Sequence, residues 1–430
     1  MNIGIIIGRM GGVDGVALET GKWIEVLKAM GHSVYTLSGQ YQERPMDTAT
    51  ESVVPEMSFS SPESFWSQKR AFFFPESDPY ELIDHIHFHS RIIRDRIEEW
   101  IAAKQIDLLI SENASSLPSH LEMGLAIKHT VEKLGIPTIT HDHEFAWDRG
   151  DRYHSSHPEI NRFLEEIFPL RVPNAVHAVI NSHAAAVLME KYGRSSILIP
   201  NVMDFNQSFG AITSNRSLVE QLGFEQNDIL LFQITKILRR KGIDIAIRLL
   251  DALNDAGVKL VITGNYPDDA GSAYYNELID LIHELRLGSR VVFAHHLFHS
   301  KGLSGRVDET RFSLSDAYAA ATACTYFSSY EGFGNAFLEA VLARRPVFVN
   351  NYIPVFMQDI GSKGFKTVMI EHGMLTEEAV TEVGDVIYHP VRAKEIAEHN
   401  FELGRKYFSY DTLKNKLEEV IERASKAGRS

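Results

Sequence analysis

Cysteine is nearly missing from this 430-residue chain, in which Cys324 stands alone. One thiol cannot close an internal disulfide, and it lies in an apolar stretch, TACTYF, that reads as core; a reducing compartment, the cytoplasm, is expected. Basic side chains are also scarce, 43 against 57 acidic, for a net charge of −14. So acidic a surface repels phosphate backbones and anionic lipid, which argues against nucleic acid and against stable membrane association. No apolar run reaches the roughly 18 residues of a bilayer-spanning helix. The opening run Ile3 to Ile7 is too short for a signal peptide, and no basic residues precede it. No short-period repeat is present. Aromatics at 10% and charged residues at 23% exclude a disordered or fibrous chain, and 44% apolar residues are enough for more than one core.

What is there is alternation. Short apolar runs at Ile3–Ile7, Ser33–Leu37, 106–110, 136–140, 175–180 and 197–199 read as strands. Helical patterns at about 16–30, 81–104, 119–134 and 182–192 fall between them, whereas Gln40 to Pro79 shows no convincing periodicity. A second series follows, with strands at 229–234, 258–264, 290–293, 323–327, 346–350, 366–370 and 385–387 and helices at about 241–256, 273–286, 335–343, 391–406 and 410–427. The fold class is therefore α/β, two doubly wound Rossmann-like domains facing a crevice. We place the N-terminal domain at 1–200, a linker at 201–228 and the C-terminal domain at 229–405. A final helix, 406–430, would pack back on the first domain. Ligands of such sheets sit at the carboxyl ends of strands, so residues of interest should follow strands.

Five clusters qualify or tempt. Gly8 to Gly15 joins a strand to a helix, but the second strand ends Leu37-Ser38-Gly39 without the carboxylate of a dinucleotide site; a tight turn is the plain alternative. His141-Asp142-His143-Glu144 follows 136–140 and could hold a metal, contact a substrate hydroxyl, or simply start a short helix. His85, His87 and His89 alternate inside a helical pattern, so only His85 and His89 share a face and no third metal ligand is near. Lys236, Arg239, Arg240 and Lys241 follow a strand and precede a helix, where cations can hold a diphosphate or merely form a solvated turn. The strongest cluster is Ser328 to Ala340, SSYEGFGNAFLEA, running from strand through glycine turn into helix. Gly332 and Gly334 let backbone amides approach an anion at the helix start, and Glu339, eight positions after Glu331, can reach a further part of an extended ligand such as a ribose.

On these residues the chain resembles the retaining glycosyltransferases of the GT-B fold, family 4. The likeness runs from the GGVDGV start through HDH, IPNVMDF and TKILRRKGID to EGFGNAFLE. Within the family, GGVDGVALETGKW with HDHEFAWDR is similar to a subgroup acting on small soluble acceptors, the mannosylglucosyl-phosphoglycerate synthases. The resemblance implies that Gly12 lies under the donor diphosphate and sugar and that His141 contacts the transferred sugar. It implies that Glu331 binds sugar hydroxyls, that the amides from Gly332 and Phe333 through Gly334 to Asn335 take sugar or phosphate, and that Glu339 holds the ribose. The family usually carries arginine where Lys236 stands, so a point cation replaces a fork, with Lys241, Arg239 and Arg240 nearby.

The partners implied are a nucleoside-diphosphate sugar and a small soluble acceptor; no cofactor is expected, and homo-oligomerisation is left open. The mixed charges Glu19, Lys22, Glu25 and Lys28 on the first helix speak against a membrane-docking face. Arg149 and Arg152 are candidates for an acceptor carboxylate or phosphate, although Asp148, Asp151 or Glu144 could equally pair with them. His295 and His296 are placed near the donor base. No Asp-x-Asp motif ends a strand, so no metal is expected. A nucleotide-sugar epimerase, a metal-dependent hydrolase built on His141, Asp142 and His143, and a non-catalytic sugar-binding module are the competing readings.

Overall fold

The computed structural model describes residues 1–12, 14–42, 46–211, 217–266, 269–298 and 311–428. Val13 of the glycine cluster and 212–216 of the expected linker lie outside them. The described chain divides into two compact units, the first formed by 1–201 with 410–428 and the second lying within 202–409.

The first unit opens with β1 (Asn2–Ile7), a two-residue strand β2 (Met10–Gly11), α1 (Gly15–Ala29), β3 (Ser33–Ser38), β4 (Tyr41–Gln42) and β5 (Glu51–Val53). It continues through α2 (Pro62–Phe72), α3 (Pro79–Lys104), β6 (Leu108–Glu112), α4 (Leu121–Leu134), β7 (Thr138–Asp142), α5 (Pro158–Ile167), β8 (Ala175–Val179), α6 (Ser182–Tyr192) and β9 (Ser196–Leu198). Seven of these strands form a parallel sheet in the order β5-β3-β1-β6-β7-β8-β9, and β2 pairs with β4 in a separate ribbon. Its inner strands are apolar on both faces, as helices on either side require; Ile3, Ile5, Ile6, Leu109 and Ile110 are fully buried. Asp14 starts α1 by accepting from the amides of Val16 and Ala17 at 3.0 and 3.2 Å. Gly135 and Gly193 end α4 and α6 in the left-handed conformation.

The second unit holds a short helix α7 (Leu218–Gln221), β10 (Ile229–Gln233), α8 (Ile243–Leu253), β11 (Val258–Ile262), α9 (Asp269–Glu284), β12 (Val291–Phe293) and α10 (Leu314–Ala320). Then follow β13 (Ala323–Tyr326), α11 (Asn335–Leu342), β14 (Val347–Asn350), β15 (Val368–Ile370), α12 (Glu377–Ile387) and α13 (Pro390–Tyr407). The sheet is again parallel, ordered β12-β11-β10-β13-β14-β15. The last helix, α14 (Tyr410–Ala427), belongs to the first unit and lies against α1, β7 and β8. Among the described residues no helix is long and apolar enough to cross a membrane.

Three elements depart from expectation. The stretch without periodicity contains α2, whose buried positions are Ser64, Ser67 and Ala71 while Phe65 is 61% exposed. With small polar residues inside and an aromatic outside, the usual amphipathic signal is inverted. Residues 385–387, expected as a strand, close α12; Ala379, Val383, Val386 and Ile387 are its buried face at helical spacing. The expected linker is folded into the second unit where it is described. There the Met203 amide donates to the Phe408 carbonyl at 2.8 Å, and Phe205 packs on Phe401. The Gly210 amide donates to Ser315 at 3.1 Å.

Candidate functional site

In the first unit, β6 and β7 are paired so that Glu112 and His141 are register partners. Their side chains meet: His141 Nδ1 lies 2.8 and 3.0 Å from the two Glu112 oxygens. His143, two residues on and therefore on the same side of the strand, brings Nε2 to 2.7 Å from Glu112 Oε1. Trp23 of α1 stacks on the His141 ring at 3.9 Å. Glu19, one helical turn earlier, is buried at 1% exposure and paired with Lys22 at 2.8 Å, not part of an exposed mixed face. His141 Nε2 is buried without a hydrogen-bond partner in the protein. With Glu112 accepting at Nδ1, a neutral His141 carries its proton there, and Nε2 offers a lone pair.

Burial alone would raise the Glu112 carboxyl, but His141 and His143 outweigh it and hold it down at about 2. Burial also acts to lower His143, and the bond and charge of Glu112 reverse this, so His143 is raised above its ordinary value. The signs differ. A depressed carboxyl adds stability above its unfolded value of about 4.5, and that stability is lost as pH falls toward about 2. A raised imidazole adds stability below its ordinary 6.5 and loses it as pH rises through the folded value. Glu112→Gln is therefore expected to lower unfolding free energy at pH 7 by about 3 kcal/mol. The deficit should shrink at pH 3 in urea titrations followed by fluorescence; an equal deficit at both pH values would contradict the linkage.

Asp142 does not join this group. Neighbouring residues of a strand point to opposite faces, and Asp142 instead pairs with His177 at 2.9 Å and Thr140 at 2.8 Å. The hydrolase built on His141, Asp142 and His143 thus loses its central ligand. Glu112 could replace it, since Glu112, His141 and His143 form a compact ligand-type cluster. Yet the N···O distances of 2.7–3.0 Å are shorter than the ~3.3 Å between ligands of a tetrahedral ion bound at 2.0–2.1 Å. In this arrangement the three side chains share protons. The His85 ring stacks on Trp66 at 4.1 Å and lies 4.3 Å from that of His89.

Gly11 and Gly12 adopt φ of +94° and +69°. A side chain on Gly11 would strike the Gln42 carbonyl at 2.3 Å, so the β2–β4 ribbon requires glycine there. Beside it opens a cavity of about 150 Å³ lined by Arg9, Asp14, Glu112, Asn113, Glu144 and Tyr153, among others. Arg9 pairs with Asp14 at 2.6 Å, while its Nε is buried without a partner. Arg149 is held by Glu144 through two bonds of 2.6 and 2.7 Å. Arg152 bonds Gln68 at 3.3 Å and lies over the rings of Phe72, Phe73 and Tyr153. Their alternative reading, pairing within the protein, is what the structure displays for Arg149.

In the second unit, Lys241 and Glu331 form a short ion pair, and Arg240 adds contacts to Glu331 at 3.2 Å and to the Tyr330 carbonyl at 2.9 Å. Lys241 and Glu331 are 13% and 11% exposed, so the pair is largely out of water. Burial acts upward on Glu331, but Lys241 and Arg240 hold its carboxyl below the usual range. Burial pulls the Lys241 ammonium below its ordinary value against the charge of Glu331. Gly334 caps α11 at φ +134°, and a Cβ there would sit 2.2 Å from Tyr352 Oη, which donates to the Phe333 carbonyl at 2.8 Å. Gly332 and Asn335 flank it, and Phe333 is buried against Phe408. Glu339 accepts from buried Tyr318 at 2.9 Å. Lys236 is exposed after β10, and Arg239 is paired with Glu277, away from Glu331. His295 and His296 follow β12, at a carboxyl strand end.

Residues 214–378 match the model of the "Glycosyl transferases group 1" family. Along its length the chain is 30% identical to the mannosylglucosylglycerate synthase of Thermotoga maritima, covering 98% of this chain and 100% of that one. The chain belongs to the group 1 glycosyl transferases. The Petrotoga mobilis mannosylglucosylglycerate synthase is 29% identical over 95% of this chain and 98% of its own. HepE of Anabaena, solved in complex with UDP-glucose, superposes with a TM-score of 0.63 at 17% identity over 98% of this chain and 100% of that one. Sucrose-phosphate synthase of Thermosynechococcus elongatus does so with a TM-score of 0.63 at 14% identity, covering 98% of each chain. The fold of this glycosyl transferase is accordingly GT-B, with one Rossmann-like sheet in each unit.

Of the expected residues of this glycosyl transferase, the fold joins Lys241 to Glu331 and sets Gly332, Phe333, Gly334 and Asn335 at the start of α11. Lys236 is exposed but near enough for its charge to act on Lys241, and Arg149 is occupied by Glu144. Glu112 escaped sequence reasoning although it follows the strand 106–110, where a functional residue belongs; a single carboxylate in an unremarked SEN tripeptide carries no motif.

Proposed function

We propose that the protein transfers a hexose, with retention, from a nucleoside-diphosphate sugar to a small soluble acceptor carrying a carboxylate. The observation that carries this reading is the Arg240–Glu331–Lys241 cluster beside the glycine turn into α11. Two cations against one carboxylate leave one positive charge, and Lys236 adds another. As the glycosidic bond breaks, negative charge grows on the departing diphosphate; those cations and the α11 N-terminus stabilise it in the transition state. Glu331 positions sugar hydroxyls. Clamped between two cations, its oxygens are poor nucleophiles, which favours acceptor attack on the face the diphosphate leaves. Glu339 holds the ribose. In the first unit, the lone pair of His141 Nε2 accepts from a sugar hydroxyl, with Gly12 beneath the diphosphate and sugar.

The relatives are named for making mannosylglucosylglycerate, which suggests a sugar-acid acceptor of that kind. We place its carboxylate at Arg9, whose Nε lacks a partner inside the first-unit cavity, and not at Arg149, whose fork Glu144 fills. A screen of nucleotide sugars against glucosylglycerate and neutral disaccharides, with and without EDTA, tests the whole reading. Product should form only with the sugar acid and survive chelation. Arg9→Gln should raise the acceptor KM about tenfold or more, on the scale of 1.5–3 kcal/mol for a bond to a charged group, without changing donor hydrolysis. Glu339→Gln, which still accepts from Tyr318, should weaken nucleoside-diphosphate binding in calorimetry. A neutral acceptor, or a requirement for a divalent ion, would overturn this account.

A further inference from the structure

The cavity that holds Arg9 also carries an exposed aromatic ring. Phe59 lines it together with Arg9, Asn113, Ser119 and Glu144. The aliphatic side chains of the lining, Ile7 and Leu117, are buried, whereas Phe59 is 40% exposed. A single exposed phenylalanine needs no explanation by itself. This one is held in place from both sides of the chain and from across the sheet.

Before it, Pro55–Met57 makes one tight helical turn in which Met57 is fully buried, and His120 Nε2 donates to the Glu56 carbonyl at 2.9 Å. Ser58 Oγ accepts from the Ser60 amide at 3.3 Å, closing the turn around Phe59. After it, Ser61 starts α2 by accepting from the Ser64 amide at 3.2 Å. The tip of the ring then reaches Gly8 at the end of β1, where a Cβ would lie 2.5 Å from Phe59 Cζ. Gly8 is not in the left-handed region, so what glycine supplies at this position is room for the ring. Arg9 is the next residue, which puts the aromatic ring and the guanidinium in one site.

We propose that Phe59 is the platform on which the sugar ring of the acceptor lies, and that it selects acceptors bearing such a ring. This rests on the acceptor reading above, in which Arg9 takes the acid group. One face of a pyranose presents C–H groups, which meet the electron-rich face of an aromatic ring, while its hydroxyls turn to polar neighbours such as Asn113 and Ser119. Phe59→Leu keeps an apolar side chain but removes the π face; it should raise KM for glucosylglycerate about tenfold and leave kcat within about twofold of wild type. Phe59→Tyr should keep the wild-type KM, and Gly8→Ala, which pushes the ring aside, should match Phe59→Leu. Glycerate, which has no ring, should inhibit wild type and Phe59→Leu with the same Ki. Phe65→Leu, at a more exposed phenylalanine of α2, should change none of these values. Saturation-transfer NMR with methyl α-glucoside reads the ring contact without the acid group, and its signal should fall in Phe59→Leu and return in Phe59→Tyr. Failure of the sugar-acid reading, seen as no turnover of glucosylglycerate by wild type, is thereby told apart from failure of the platform. A methyl α-glucoside signal that is absent from wild type or unchanged in Phe59→Leu, or an unaltered KM in that variant, overturns the platform.

Discussion

Glu331→Gln is expected to lower kcat by about 10²–10³-fold, the scale seen when one preorganised electrostatic contact is removed from a transition state. Glutamine can still bond Lys241, so the local geometry survives, but the charge that opposes burial of the Lys241 ammonium is gone. Lys241 then loses its proton more readily, and the alkaline limb of the pH–rate profile should move to lower pH. Lys241→Met in the same background should add little further loss, because the two side chains act as a unit. Urea midpoints monitor the fold. A kcat within twofold of wild type would mean that the pair is a structural brace and that the charge on the leaving group is stabilised elsewhere.

His141→Asn is expected to lower kcat by about 10²-fold or more while leaving nucleoside-diphosphate affinity unchanged. The asparagine amide nitrogen occupies nearly the position of imidazole Nδ1, so the bond to Glu112 can persist while Nε2 disappears. The variant thereby separates the atom that we propose faces the sugar from the atom that holds the ring. Glu112→Gln should produce a smaller loss, since the ring stays stacked on Trp23 but the location of its proton is no longer imposed. Stopped assays with saturating donor and acceptor distinguish these cases. Equal kcat in His141→Asn and wild type would remove His141 from the reaction.

The two α/β units were legible because their strands are short apolar runs and their turns carry glycine, both local properties. Prediction failed where a local pattern was ambiguous or inverted. Residues 385–387 have a strand's composition, but their buried face continues the spacing of Ala379 and Val383. In α2 the inside is serine and the outside phenylalanine, so no sequence window marks a helix. The stretch after Asn201 is polar and glycine-bearing, yet Met203, Phe205 and Gly210 are held by Phe408, Phe401 and Ser315, far along the chain.

The same division runs through the candidate site. By itself the sequence determined the family, through EGFGNAFLE and its cationic companion, because a glycine turn entering a helix fixes its neighbours within a few residues. Only the tertiary structure decided which side chains meet. Sheet register set Glu112, 29 residues away, against His141, and strand alternation turned Asp142 to the opposite face toward His177. The Arg149 fork went to Glu144, leaving Arg9 as the cavity's cation with an unpartnered nitrogen. The physical reason is that hydrogen bonds and charges act over about 3–4 Å, a distance that parallel strands create between residues the chain keeps far apart.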